Sequence, residues 1–147
     1  MIHYLDSSVL LRVVLGQPGR LREWRKITRG VSSGLAQVEC LRTLDRLLRE
    51  RELTEDVWAI RREALLRTLE SLTLVDPDRA VLERASQPMP TVLGSLDALH
   101  LATALLYREA LKEPVTFATH DLALARAAQA HAFPVIGAVR RLRSAAP

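Results

Sequence analysis

Short apolar runs alternate along the chain with longer stretches whose apolar positions recur at helical spacing. Two such stretches follow each other closely, at residues 35–50 and 55–70. In the first, Leu35, Val38 and Leu41 begin a series in which leucines return every three or four residues, the period of one helix face. The pattern therefore predicts a helical hairpin that turns near Leu53 and Thr54.

The rest of the chain continues the alternation of short and long elements. Strands are predicted at residues 2–5, 30–34, 72–75, 115–118 and 133–137, and further helices at 9–15, 22–29, 79–86, 96–111 and 122–131. Strands that alternate with helices in this way are typical of a parallel sheet covered by helices. The sequence thus predicts an α/β fold with a mainly parallel central sheet.

Length and composition narrow the class of protein. A chain of 147 residues suits one core better than two, so residues 1–147 are expected to form a single domain. Hydrophobic residues make up 48% and charged residues 26% of the chain, which excludes a disordered protein. No apolar run approaches the roughly 18 to 20 residues of a membrane span, and the first six residues lack the features of an export signal. A cytoplasmic protein without a membrane partner is expected.

The charge and the cysteine content of the chain do not by themselves indicate a function. Cys40 is the single cysteine, so it cannot form an internal disulfide and is expected to be buried. Because Lys26 and Lys112 are the only lysines, 19 of the 21 basic residues are arginines. Arginine binds phosphate through two parallel hydrogen bonds, so the net charge of +4 is compatible with a nucleic-acid partner without requiring one. The basic residues 140–143 are expected to form a solvated tail.

Four acidic residues fall at the ends of predicted strands or the beginnings of predicted helices, where α/β sheets usually place their chemistry. They are Asp6, Glu39, Asp97 and Asp121. If they converge, two like charges about 5 Å apart repel by roughly 3 kcal/mol at an effective dielectric constant near 20. Such a site must bind a cation or hold protons.

Each acid also has a local structural explanation. Asp6 and Asp121 precede helices and could act as N-caps. Asp97 lies in the first turn of a helix that Ser95 could cap, where the helix dipole favours a carboxylate. Glu39 is three residues before Arg42 and could form an ion pair on one helix face. The four positions therefore favour a common site only when they are taken together.

The surrounding residue types favour a hard divalent ion. Oxygen ligands suit Mg²⁺ or Mn²⁺, and the histidines show no spacing typical of a zinc site. Ser7, Ser8 and Thr119 could donate to a phosphate or a water, or cap helices. His100 is expected to be a partly buried, hydrogen-bonded side chain instead of a catalytic base. The chain has neither a nucleophile-elbow serine motif nor a glycine-rich phosphate loop.

These residues resemble the PIN domains and, among them, the VapC-type toxins of bacterial and archaeal toxin–antitoxin pairs. The resemblance covers nearly the whole chain. It rests on residues 4–8, on Glu39 with Arg42, on residues 96–102, on Thr119-His120-Asp121 and on residues 133–137. It implies a PIN-like, mainly parallel central β-sheet flanked by helices on both faces, with a protruding helical hairpin.

The same resemblance implies an activity and a set of site residues. The activity is that of a Mg²⁺- or Mn²⁺-dependent endoribonuclease in which an activated water hydrolyses an RNA phosphodiester. Asp6, Glu39, Asp97 and Asp121 match the family's four acidic positions, and Asp121 matches the most variable of them. In addition, Ser7 or Ser8 and Thr119 match its accessory polar positions.

The partners implied by the resemblance are an RNA substrate, a second copy of the chain and a cognate VapB-type antitoxin. The C-terminal segment of such an antitoxin blocks the site, and its N-terminal part binds operator DNA, so contact of this chain with DNA would be indirect. The helical hairpin corresponds to the region that commonly binds the antitoxin segment.

Two other functions remain open at the level of sequence. A catalytically idle member would act by binding RNA or its antitoxin. A phosphatase or phosphoacceptor domain would use Asp6 as its nucleophile, although Ser8 stands where an Asp-x-Asp motif needs its second acid. In a receiver-like domain a lysine should follow the fourth strand, whereas Lys112 precedes it.

Overall fold

The computed structural model describes residues 1–138 and contains a sheet of five parallel strands. These are β1 (Ile2–Leu5), β2 (Arg29–Ser33), β3 (Thr73–Val75), β4 (Val115–Thr119) and β5 (Val135–Gly137). Their order across the sheet is β3-β2-β1-β4-β5. The chain moves outward from β1 to β3 and then returns to the other side of β1. This reversal lies between β1 and β4, where open parallel sheets commonly bind ligands.

The helices within residues 1–138 follow the predicted pattern. They are α1 (Ser7–Val14), α2 (Leu35–Arg49), α3 (Glu55–Glu70), α4 (Arg79–Ala85), α5 (Ser95–Leu111) and α6 (Leu122–Ala130). The helix predicted at 22–29 is only a 3₁₀ turn, Trp24–Lys26. The basic residues 140–143 lie outside the described residues.

Helices cover both faces of the sheet, as predicted. Tyr4 and Phe117 pack with residues of α5 and α6, whereas Leu5 and Ala118 pack with residues of α1, α2 and α3. This separation follows from the strand, in which successive side chains point to opposite faces. All four side chains are fully buried, and a group as large as that of Phe117 contributes roughly 1.5–3 kcal/mol of stability.

The predicted helical hairpin is formed by α2 and α3, which pack on each other and on α1. Leu44 and Leu65 are fully buried on its inner side, and Cys40 is buried as expected. On its outer side Val38 and Ile60 are 57% and 63% exposed. The hairpin therefore leaves apolar side chains uncovered.

Side-chain caps fix the beginnings of several helices. Asp6 accepts a hydrogen bond from the Val9 backbone N–H, and Asp121 accepts one from that of Leu124. The expectation that Ser95 caps the long helix is wrong. The N-cap is Gly94, whose backbone is extended, so Ser95 is already the first helical residue and its side chain caps nothing. Within the described part of the chain, no helix is long and apolar enough to cross a bilayer.

Candidate active site

Asp6 stands at the carboxyl end of β1 and is only 4% exposed. Its Oδ1 accepts hydrogen bonds from the Ser8 hydroxyl at 2.6 Å and from the Val9 N–H at 3.2 Å. Its Oδ2 accepts one from the Thr119 hydroxyl at 2.7 Å. Burial raises the pKa of Asp6 even though these hydrogen bonds oppose the rise. The carboxylate therefore links β1, α1 and β4.

Ser8 and Thr119 each serve two partners. Each hydroxyl donates to Asp6 and accepts from a backbone N–H, Ser8 from His120 and Thr119 from Asp121, both at 2.9 Å. The two side chains consequently attach the beginning of α6 to the end of β1. Their protons are used within the protein, which favours a positioning role over donation to a phosphate.

Glu39 lies on the inward side of α2 and contacts α1 and α5. Its Oε1 accepts hydrogen bonds from the Ser7 hydroxyl at 2.8 Å and from His100 Nε2 at 2.6 Å. The ion pair with Arg42 that sequence spacing allowed is not formed, since Arg42 pairs with Asp45 at 3.0 Å. Helical spacing alone could not distinguish these partners, because the residues that hold Glu39 come from other elements.

His100 is a buried link between Tyr4 and Glu39. Its Nδ1 lies 2.8 Å from the Tyr4 hydroxyl. A carboxylate can only accept, so Nε2 carries the proton given to Glu39. Burial alone would raise the pKa of Glu39, but the hydrogen bond and charge of His100 and the hydrogen bond from Ser7 outweigh burial and lower it.

Asp97 occupies the first turn of α5 and is half-buried. Among residues 1–138 no hydrogen bond or ion pair is made to its carboxylate. Its pKa is raised by burial first, then by the charges of Asp121, Asp6 and Glu39, with His100 acting in the opposite direction. The four acids predicted from the sequence thus share one electrostatic environment.

Asp121 is the most exposed of the four acids. Its Oδ1 accepts the Leu124 N–H at 2.8 Å, so it acts as a helix cap. It follows Thr119, whose hydroxyl touches Asp6, and its charge acts on Asp97. Asp121 is therefore an exposed helix cap whose charge acts on Asp97 more strongly than that of Asp6 or Glu39.

The acids are near one another without forming a ready coordination shell. Within residues 1–138 no three His, Cys, Asp or Glu side chains are arranged closely enough to hold a metal ion. Mg²⁺ usually keeps several waters and contacts one or two carboxylates, so a loose, oxygen-only donor set suits it. The half-buried Asp97 carboxylate, which lacks a partner and is repelled by its neighbours, fits such an ion. That these residues ligate a metal stays a prediction.

The geometry argues against a phosphatase that uses Asp6 as its nucleophile, and against a serine hydrolase. Both oxygens of Asp6 are hydrogen bonded and the side chain is buried, which does not suit a nucleophile that must attack a phosphoryl group. Ser7 Oγ also lies 3.3 Å from His100 Nε2, but that nitrogen carries the proton given to Glu39 and cannot accept the serine proton, which goes to Glu39 as well. Ser7, His100 and Glu39 therefore do not form a hydrolase triad. Sequence reasoning missed the contribution of Tyr4, because a tyrosine in a buried strand is typical of a core residue.

Comparison with known proteins identifies the family. The sequence profile of the PIN domain matches residues 3–136, and the chain belongs to this family. It is 36% identical over 104 residues to Ribonuclease VapC46 of Mycobacterium tuberculosis, a match that covers 69% of this chain and 72% of that protein. The resemblance seen in the sequence motifs is confirmed.

Solved structures confirm the fold. The structure of FitAB bound to a DNA fragment matches with a TM-score of 0.66 at 17% identity, covering 92% of this chain and 94% of that one. A toxin–antitoxin complex from Klebsiella pneumoniae matches with a TM-score of 0.55 at 16% identity, covering 81% and 86% of the two chains. At these identities the likeness concerns the PIN-like α/β fold alone.

Proposed function

We propose that this PIN-domain protein is an endoribonuclease, the toxin of a VapBC-type toxin–antitoxin pair, and that its activity depends on Mg²⁺ or Mn²⁺. One observation carries the proposal. The half-buried Asp97 carboxylate has no hydrogen-bond partner among the described residues and is repelled by Asp6, Glu39 and Asp121. The similarity to a ribonuclease of the VapC type supports the choice of RNA as substrate.

The acids would hold the ion in different ways. Asp97 and Glu39 have carboxylate oxygens that their neighbours leave available, whereas the buried Asp6 and the exposed Asp121 would add negative charge. When bound, the divalent ion would neutralise charge that develops on the scissile phosphate and lower the pKa of an attacking water. The protein's own part is to fix the carboxylates, through Ser8 and Thr119 at Asp6.

Ser7 and His100 play the corresponding role at Glu39. Both donate to Oε1, so Oε2 of the half-buried carboxylate has no hydrogen bond from the described residues. A carboxylate held at one oxygen presents the other in a fixed direction. This arrangement suits a metal ligand whose geometry is set by neighbouring hydrogen bonds.

The proposal includes partners. A cognate VapB-type antitoxin would block the site with an apolar segment laid on the hairpin of α2 and α3, where Val38 precedes Glu39 and, with Ile60, is exposed. Solved neighbours that include a toxin–antitoxin complex support this partner. We further propose a cytoplasmic homodimer of single-domain chains that meets operator DNA only through its antitoxin.

Cleavage of labelled RNA by antitoxin-free protein tests the nuclease activity. We expect products with Mg²⁺ or Mn²⁺, none with EDTA, and a loss of at least about 100-fold in Asp97→Asn. Asp45→Asn is the matched control, since Asp45 is a surface acid paired with Arg42, away from the acid group. Cleavage that survives EDTA or Asp97→Asn contradicts the proposed mechanism.

Thermal unfolding separates the nuclease from a catalytically idle binding module. A ligand that binds only the folded state stabilises it by about 2.7 kcal/mol at 100 times its Kd. We expect Mg²⁺ and Mn²⁺ to raise the Tm of the protein above that in NaCl of equal ionic strength, and Asp97→Asn to abolish the increase. An unchanged Tm in the unsubstituted protein favours the idle module.

A further inference from the structure

A basic cleft of about 810 Å³ lies beside the acid site, between the loop that follows α1 and strand β5. Arg12, Arg20 and Arg22 line one side of it, and His120 and Gly137 line the other. Arg20 and Arg22 are exposed and Arg12 is partly buried. The cleft therefore combines three cationic side chains with residues adjacent to Thr119 and Asp121.

The arginines of this cleft form no ion pair with an acid of residues 1–138. Within residues 1–138 none of the three takes part in an ion pair, although Glu23 lines the same cleft, and Arg12 reaches only the Gly19 carbonyl at 3.5 Å. A second basic cavity, on α2, differs in this respect. There Arg42 pairs with Asp45 and Arg46 with Glu50, each at 3.0 Å. Positive charge left without a counterion is expected to attract an anionic ligand.

Hydrogen bonds connect the lining of the cleft to the acid site, although none of the four acids itself lines the cleft. The His120 backbone N–H donates to Ser8, which donates to Asp6. Gly137 lies so close to β4 that an added Cβ would be 2.3 Å from the Thr119 carbonyl oxygen and 3.4 Å from His120 Nδ1. Arg12 is on α1, one helical turn after Ser8. A polyanion bound at the acids would therefore meet the positive charge of this cleft next to them.

We infer that the cleft binds backbone phosphates of the RNA strand on one side of the scissile bond, with Arg20 and Arg22 as the principal contacts. This inference rests on the proposed nuclease function, because it states in which direction the RNA strand leaves the acid site. Positive charge beside the four carboxylates favours the approach of a polyanion beyond what a bound divalent ion supplies, and arginine binds phosphate bidentately. An antitoxin peptide is less suited to the cleft, since none of the large exposed apolar side chains of residues 1–138 lines it, whereas Val38, Val57 and Ile60 lie on the hairpin.

Binding of RNA to charge-matched variants tests the inference. All variants carry Asp97→Asn so that the probe, a labelled single-stranded RNA of about 20 nucleotides, stays intact. The test variant adds Arg20→Gln and Arg22→Gln. The control adds Arg49→Gln and Arg51→Gln, two exposed arginines with the same spacing at the end of α2. Both variants lose two positive charges.

The expected result is a selective loss. The test variant should bind about ten-fold more weakly at low salt, and the slope of log Kd against log salt should fall by about 1.4, since each single-strand phosphate contact contributes about 0.7. The control should stay within about two-fold of the parent. In the active protein, Arg20→Gln with Arg22→Gln should raise KM more than it lowers kcat.

Other outcomes overturn the inference in distinguishable ways. Equal losses in the test and control variants mean that RNA binding depends on overall charge and not on the cleft. Full RNA binding with lost inhibition by an antitoxin peptide assigns the cleft to that peptide. If the parent cleaves RNA and the test variant is unimpaired, only this inference fails. If the unsubstituted protein neither binds nor cleaves RNA, the proposed function fails as well.

Discussion

His100 Nε2 lies 2.6 Å from Glu39 Oε1 and thereby joins α5 to α2 at the acid site. The other ring nitrogen contacts the Tyr4 hydroxyl at 2.8 Å, so the ring is held from both sides. Hydrogen bonds of this kind orient the carboxylates that ligate metals, and their loss typically weakens metal binding by about 10- to 100-fold. We therefore expect His100 to act as a positioning residue for Glu39.

Two substitutions separate this role from simple packing. His100→Gln keeps an N–H donor for Glu39, whereas His100→Leu removes it. We expect His100→Leu to weaken Mn²⁺ binding by at least about ten-fold and His100→Gln to weaken it less, as measured by calorimetry. Leu105→Ala, a buried change on the same helix, should lower the Tm without altering Mn²⁺ affinity. Equal Mn²⁺ affinities for the Gln and Leu variants would speak against the positioning role.

Because Asp97 is repelled by neighbouring acids, we expect Asp97→Asn to change the free energy of unfolding in a pH-dependent way. Because the pKa of Asp97 is raised in the folded state, ionisation opposes folding, and this penalty grows as the pH rises above the ordinary value of 3.8. Below that value the group is protonated in both states and the penalty is absent. In metal-free buffer, Asp97→Asn should therefore be neutral or stabilising near pH 7, and its advantage should disappear towards pH 3.

Loss of the favourable helix-dipole interaction limits the gain from Asp97→Asn, by roughly 0.3–1 kcal/mol. Asp45→Asn provides the comparison, because that acid is paired with Arg42. Urea unfolding of both variants across this pH range measures the effect. A clear loss of stability for Asp97→Asn at pH 7 would mean that Asp97 is a structural partner and not a member of a crowded acid site.

A comparison of Asp121 with Asp78, a second aspartate that caps a helix, tests whether Asp121 has a role beyond capping. Asp78 caps α4 through the Val81 N–H just as Asp121 caps α6 through Leu124. Asparagine caps about as well as aspartate, so Asp121→Asn and Asp78→Asn should each change stability by less than about 0.5 kcal/mol. Only Asp121→Asn should reduce cleavage of RNA, and by less than Asp97→Asn does. Identical activities of the two variants would restrict Asp121 to capping.

Gly137 controls the contact between β5 and the end of β4. Its φ of +100° and the 2.3 Å approach of an added Cβ to the Thr119 carbonyl oxygen exclude an ordinary side chain. We expect Gly137→Ala to cost at least about 2 kcal/mol of unfolding free energy. Gly94→Ala is the control, because an added Cβ there meets nothing within 4 Å. Comparable denaturation midpoints for the two would contradict this account.

Much of the fold could be predicted because its signals are local. The alternation of Tyr4 and Leu5 assigns opposite faces to a strand, and the capping aspartates at 6 and 121 mark helix beginnings. The prediction that Ser95 is the N-cap was wrong because Gly94 and Ser95 are adjacent, and both residue types are acceptable at an N-cap. The backbone of Gly94 begins the helix one residue earlier than the serine suggested.

The arrangement of the site depended on contacts that spacing along the chain does not encode. Tyr4 and His100 are 96 residues apart, and Glu39 and His100 are 61 apart. The residues lie together because β1 is central in the sheet and α5 packs over it. Sequence spacing allowed Glu39 to pair with Arg42, yet its partners Ser7 and His100 come from other elements. The basic cleft likewise combines arginines of an irregular loop with β5, which no periodic pattern indicates.

Asp6 takes part in holding β1, α1 and β4 together and also adds charge to the site above it. A residue with both duties is hard to replace in isolation, since its substitution would damage folding and chemistry at once. Asp97 has no hydrogen-bond partner among the described residues, so its substitution should not damage folding. If this chain harms its host, spontaneous survivors that still accumulate intact protein should carry lesions at position 97 far more often than at position 6.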